Sequence, residues 1–279
     1  MPRKSGGGRS ASRDRSKSSK TKESRSEEHI SKQTSTMKKR KSFDLDQWIS
    51  ENREELLTRL GISHLNLDQD LTSFILRRVT ELLWSDEKKP DMERLSSRIR
   101  RNMESLRSII AQMIVEGSKE LSQDQLEYVI SAGGSWILGY APQLYRRARD
   151  MKRDDLILSL RYQWIKWWTS TRDQEIPPEC PRCGFNSLMP DGSCIICDYT
   201  PTNTEILKYY HFDKYIEKLY ERGDLESLKK ILEKGFIIIS SSGIKIPDHE
   251  KSRYDLEIHI PRIYREKIAE LLRSSGRAG

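Results

Sequence analysis

From Phe43 onward the chain places its apolar side chains at helical intervals, and the spacing predicts a succession of amphipathic helices. The first runs from Phe43 and Trp48 through Leu56, Leu57 and Leu60 to a stop at Gly61. A second, Leu67 to Trp84, carries Leu71, Phe74, Ile75, Val79, Leu82 and Leu83 on the same period. Pro90 breaks the chain ahead of a longer helix in which Leu95, Ile99, Met103, Leu106, Ile110 and Met113 form one stripe, ending near Gly117. Ser122-Gln123-Asp124-Gln125 is a capped start for a helix through Leu126, Val129 and Ile130, which runs into Gly133-Gly134. Pro142 opens another through Leu144 and Tyr145. Asp154 to Thr169 is apolar nearly all round, with Trp164, Trp167 and Trp168, the pattern of a helix central to a core. The stripes before Thr169 are expected to form a core of their own.

Beyond residue 203 the period is helical again from Thr204 to Arg222 and from Leu225 to a stop at Gly235. It then switches to strands: Phe236 to Ile239 and Ile244 to Ile246 read as a hairpin around Ser240-Ser241-Ser242-Gly243, and Tyr254 to Ile260 as a third strand. Pro261 sits as the first residue of a last helix, ending near Arg273. The fold class is therefore mainly α, with a small α+β C-terminal portion. Helices followed by a hairpin also suit a winged-helix module. Its recognition helix, however, would offer only Lys229, Lys230 and Lys234 against Asp224, Glu226 and Glu233, a poor base reader, and a protein-contact module fits the pattern as well.

Between the two halves lie four cysteines, Cys180-Pro-Arg-Cys183 and Cys194-Ile-Ile-Cys197. A two-residue gap lets both thiolates of a pair face one point from a tight turn, and two such turns supply the tetrahedral four-sulfur shell that zinc prefers. Met189-Pro190-Asp191-Gly192 is a turn that would fold the linker back and bring the pairs together. A rubredoxin-like iron site uses the same geometry and is the main rival; a redox Cys-x-x-Cys would need a βαβ context that the pattern lacks. Four protein ligands leave no position for a catalytic water, so the metal is read as structural. With its Cys-Pro-x-Cys-Gly knuckle, Cys180 to Gly184, the segment 178–200 resembles the zinc-ribbon group of small four-cysteine modules. Asp198 stands where the second knuckle of that group commonly has glycine. Zinc ribbons occur in transcription, translation, replication and RNA-processing proteins, and in enzymes as purely structural parts, so the resemblance implies a metal site and no particular activity.

Composition changes the picture at the N-terminus. Residues 1–41 hold almost no large apolar side chains, and 14 Lys and Arg there face only 4 Asp and Glu, a surplus of ten. Such a segment cannot offset its chain entropy by burial and is expected to be a disordered basic arm. The remaining 36 basic and 38 acidic residues leave the body at −2, so the chain's overall +8 describes the arm and not the folded part. Lys38, Lys39, Arg40 and Lys41 close the arm. In a eukaryotic cell, or a virus infecting one, they would resemble a monopartite nuclear import signal; in another host the cytoplasm is expected. The Arg-Ser pairs of the arm are candidate phosphate acceptors. No secretory signal or membrane span is apparent, which points to an intracellular setting where paired cysteines hold metal rather than form disulfides.

Two further basic groups are candidate phosphate contacts: Arg94, Arg98 and Arg101 along one helix face, and Arg146 and Arg147. The plain alternative for each is a solvated helix face. The tryptophans, with Tyr162, could stack on bases, but core packing explains them more simply. No phosphate loop, no nucleophile elbow and no His-Glu-x-x-His motif occurs. The sequence thus divides into a basic arm (1–41), a helical domain (42–172), a zinc ribbon (173–202) and an α+β portion (203–279). Its expected role is non-catalytic: binding RNA or DNA, with other proteins, in a gene-expression or genome-handling assembly. A protein scaffold or adaptor with a structural zinc is the alternative.

Overall fold

The computed structural model describes residues 43–85, 89–171 and 175–276; the arm, with Lys38, Lys39, Arg40 and Lys41, lies outside them. The predicted first helix is two, α1 (Leu45–Glu51) and α2 (Arg53–Leu60). They are followed by a short 3-10 turn and α3 (Gln69–Leu83). The long helix after Pro90 is likewise split into α4 (Met92–Arg101) and α5 (Met103–Gly117). The same device makes both breaks. Asn52 leaves helical space at φ −112°, ψ 15°, and its amide donates to the Trp48 carbonyl at 2.7 Å. Asn102 sits at φ −111°, ψ 13° and donates to the Arg98 carbonyl at 2.8 Å. In each case the side chain adds a second bond to a carbonyl that already accepts from the asparagine's own backbone N–H, pinning the helix end.

α6 (Gln123–Ala132) starts on the expected capping box, Ser122 and Gln125 exchanging bonds with each other's backbone. α7 (Ile137–Asp150) begins five residues before Pro142, so the proline lies inside the helix instead of opening it. Its first turn is tightened by bonds from Ile137 to the Gly134 carbonyl and from Gly139 to the Trp136 carbonyl, while Trp136 donates to Ser108 at 2.8 Å. α8 (Asp154–Thr171) buries Leu160, Trp164 and Trp168. It is not enclosed on all sides, since Leu158 is 60% and Tyr162 69% exposed.

After the cysteines the predicted helix from Thr204 is divided into α9 (Asn203–Tyr209) and α10 (Phe212–Glu221) by His211, held at φ 53°. α11 (Leu225–Lys234) leads into β1 (Phe236–Ser240), which pairs antiparallel with β2 (Gly243–Lys245) and β3 (Leu256–His259) in the order β2-β1-β3. The central strand is apolar on both faces, with Ile237, Ile238 and Ile239 all buried. α12 (Arg262–Ser275) packs on α11, with Pro261 at its N-cap rather than inside it. The mainly helical class with a small antiparallel sheet near the C-terminus is the observed one.

One apolar cluster runs from Trp48 in α1 to Ile268 in α12 and takes in Cys180, Phe185 and Leu188 on the way. The expected separate core for the helices before Thr169 is therefore corrected: α8 shares its buried face with the cysteine segment and with the sheet side. Trp164 meets Phe185 edge-on at 6.2 Å between ring centroids, and Trp168 meets Tyr254 at 5.3 Å. Among the described residues no helix is long and apolar enough to cross a membrane.

Candidate metal centre

The two Cys-x-x-Cys turns fold alike. In the first, the Cys180 N–H donates to the Phe185 carbonyl at 2.7 Å and the Gly184 N–H returns to the Cys180 carbonyl at 2.8 Å. In the second, Cys194 donates to Tyr199 and Asp198 returns to Cys194, both at 2.9 Å. Each scheme requires a left-handed residue one place after the second cysteine: Gly184 has φ 73° and Asp198 φ 55°. Aspartate is among the few side chains that adopt this region readily, so the missing glycine leaves the turn intact. The linker folds back through Met189 to Ser193, with Gly192 at φ 85° and Asp191 accepting from the Ser193 N–H at 2.9 Å.

This brings the four sulfurs within 4.8 Å of one another, Cys180 to Cys197 at 3.8 Å and Cys183 to Cys194 at 3.6 Å. A tetrahedral ion with metal–sulfur bonds of about 2.3 Å requires sulfur–sulfur edges of about 3.8 Å, so the cluster fits a metal ion of that size. The site is deep: Cys180, Cys183 and Cys194 are buried and Cys197 half-buried. Four thiols this close do not all ionise unaided. Hydrogen bonds from Cys180 and then Cys183 hold Cys194 well below the usual thiol range, while bonding to Cys180 and Cys194, together with burial, pushes Cys183 far up. A cation among them stabilises all four thiolates at once.

Residues that the spacing argument did not single out surround the sulfurs. Ser187 places its hydroxyl 3.1 Å from the Cys194 sulfur. Phe185, fully buried, is gripped edge-on by Tyr145 and Trp164, and the Trp164 indole N–H donates to the Asn186 carbonyl at 2.9 Å. Arg161 of α8 reaches Glu179 at 3.2 Å, and its guanidinium lies where a Gly184 side chain would be, 2.6 Å from an added Cβ. Only residues that follow a knuckle cysteine carry a signal in the sequence; Arg161 and Trp164 come from a helix folded on from elsewhere.

Gly184→Ala is accordingly expected to weaken metal retention, because a side chain at φ 73° is strained by about 1–2 kcal/mol and displaces Arg161 from Glu179 as well. In competition with a chromogenic chelator that corresponds to roughly a five- to thirtyfold loss. Asp198→Gly keeps the left-handed turn at no steric cost and gives up only an exposed 4.0 Å pair with Arg146, so its retention is expected to match the native chain. Equal loss in both variants would contradict this account.

The basic candidates lie on different helices and are not equivalent. On α4, Arg94 and Arg101 are exposed, whereas Arg98 donates to the Leu83 carbonyl at the end of α3 and lies over the Trp84 ring at 4.8 Å. On α7, Arg146 is exposed, whereas Arg147 donates to the Leu121 carbonyl at 2.8 Å and pairs with Glu120, fastening the turn before α6. On α11, Lys230 is taken up by Glu226 and Asp248. Compared with known protein families, characterised proteins and solved structures, the chain matches none.

Proposed function

We propose that the chain is a non-catalytic, intracellular zinc protein of the zinc-ribbon kind that binds RNA or DNA as an accessory part of a larger assembly. The observation that carries the reading is the division of charge: a surplus of ten on 41 residues, joined to a body of −2 whose cysteine cluster offers one ion four protein ligands. Zinc is favoured over iron on the spacing of the two Cys-x-x-Cys pairs, by which the segment resembles a zinc ribbon. In this reading the arm supplies sequence-independent attraction, and exposed body cations such as Arg94, Arg101 and Arg146 hold the phosphates in register.

The test is a binding titration at several salt concentrations for the full chain, for a chain lacking residues 1–41, and for Arg94→Glu with Arg101→Glu. Arg98 and Arg147 are left alone, since their replacement disturbs helix ends. Deleting the arm should weaken binding to every sequence alike and flatten the salt slope, each lost phosphate contact removing about 0.7 to 0.9 from it. The double substitution should weaken binding further at a given salt. If the arm deletion binds as tightly and as salt-dependently as the full chain, the division of labour is wrong.

A second reading, a scaffold or adaptor, is favoured by one feature of α8. Leu158, Tyr162 and Ile165 lie at helical spacing and are 60%, 69% and 36% exposed. Protein association through such a face would be nearly indifferent to salt, which separates the two readings in the same titration.

A further inference from the structure

Beside the metal centre a groove of about 710 Å³ opens between the first knuckle and the corner where α9 turns into α10, lined by Pro181, Arg182, Tyr199, Lys208, Tyr209 and His211. Its volume lies within the range of about 300–1,000 Å³ typical of sites for ligands of nucleotide size. Arg182 sits between Cys180 and Cys183, in a turn whose backbone is held by the bonds from Gly184 to the Cys180 carbonyl and from Cys180 to the Phe185 carbonyl. Its guanidinium is laid over the Tyr199 ring at 5.2 Å, which orders the long side chain before any ligand arrives. The Tyr199 hydroxyl donates to Glu205, whose carboxylate also accepts from the Thr202 N–H and hydroxyl at 2.8 Å each. That acid is thereby committed to the α9 cap. Arg182 and Lys208 are exposed, and among the described residues neither has a carboxylate within ion-pair distance. Tyr209 is 36% exposed and is propped edge-on by Tyr210 at 5.4 Å. Asp213, at the start of α10, is the other acidic group lining the groove, and Glu179, bonded to the Tyr209 hydroxyl, is paired with Arg161.

We propose that this groove binds single-stranded nucleic acid, with a base stacked against Tyr209 and the flanking phosphates held by Arg182 and Lys208. An aromatic face beside one ordered and one free cation is a combination that recognises a splayed base on a charged backbone. In a duplex the base faces are already covered by their neighbours. An acidic peptide could satisfy the cations but has no planar face to offer the tyrosine. The proposal rests on the nucleic-acid reading above and deepens it by naming the strand type and the contact residues.

The experiment uses the full-length, metal-loaded chain and a fluorescein-labelled mixed-sequence RNA of twelve nucleotides, single-stranded or annealed to its complement, read by anisotropy. Tyr209→Leu and Lys208→Glu are compared with the native chain after their metal content and melting temperature have been checked. Removing one stacked base corresponds to a loss of about five- to a hundredfold or more in single-strand affinity. Each variant is expected to lose at least tenfold on the single strand and less than twofold on the duplex, which the basic arm still attracts. Should Tyr209→Leu prove unstable, the exposed Lys208→Glu decides. If the native chain binds the single strand and both sound variants bind it equally well, the groove is wrong and the nucleic-acid reading stands. If the native chain binds neither form, both fall.

Discussion

Replacing Cys194 with Ser is expected to cost the chain its metal and to loosen α8 as well as the cysteine segment. Metal binding by small four-ligand zinc modules contributes about 10–16 kcal/mol to their folding at neutral pH. A whole domain is stable by only about 5–15 kcal/mol, so loss of a ligand is felt beyond the turns that carry it. The route is Phe185: with its turn released, it no longer fills the space between Tyr145 and Trp164. Elemental analysis of native protein should find one zinc per chain and the variant near none. Native-state hydrogen exchange should show lost protection around Trp164 in α8 alongside residues 180–199. A variant that keeps its metal, or one that loses it with α8 fully protected, would contradict the shared core. Iron in place of zinc would overturn the assigned metal while leaving the site.

Trp164→Ala is expected to destabilise the chain by about 3–5 kcal/mol, the usual range for removing a large buried aromatic. The residue is 3% exposed, stacks with Trp168 at 6.1 Å and holds the Asn186 carbonyl, so the substitution leaves both a cavity and an unsatisfied acceptor. Chemical denaturation followed by far-ultraviolet circular dichroism measures the loss. The same variant should surrender zinc to a chelator more readily, because Trp164 braces the segment between the two cysteine pairs. Unchanged stability with weakened RNA binding would restore the tryptophans as stacking platforms.

The four-cysteine cluster was legible because its chemistry is local: the cysteines, the two-residue gaps and the Pro-Asp-Gly turn all lie within eighteen consecutive residues. The helices were legible for a related reason, since a stripe such as Leu95, Ile99, Leu106 and Ile110 repeats the helical period through the chain. What that period hides is a break that keeps the apolar phase. Asn52 and Asn102 interrupt their helices while the flanking stripes go on facing the same core, and nothing in the apolar pattern marks them. His211 divides another helix by adopting a backbone conformation that its neighbours give no reason to expect. The arginines show the limit most clearly. Arg94 and Arg98 look alike in the sequence, yet one is exposed and the other closes the end of a helix fifteen positions away. Likewise Arg161 and Gly184 are partners only because α8 lies against the first knuckle.

The edge-on pair of Trp168 and Tyr254 has a consequence for the order in which the chain is made. Tyr254 follows Trp168 by 86 positions, and at a synthesis rate of about 5–20 residues per second it leaves the ribosome roughly 4–17 seconds later. During that interval the nascent chain carries the tryptophan side of α8 only partly covered, with α6 and α7 available to pack on the helix at once and the cysteine segment joining them when all four sulfurs have emerged. Metal captured in that window would shield the growing chain before the sheet exists to finish the job. Under the zinc reading, a cell short of that metal would instead hold each half-made copy with an open aromatic surface, and chaperone demand for this protein should rise with metal starvation.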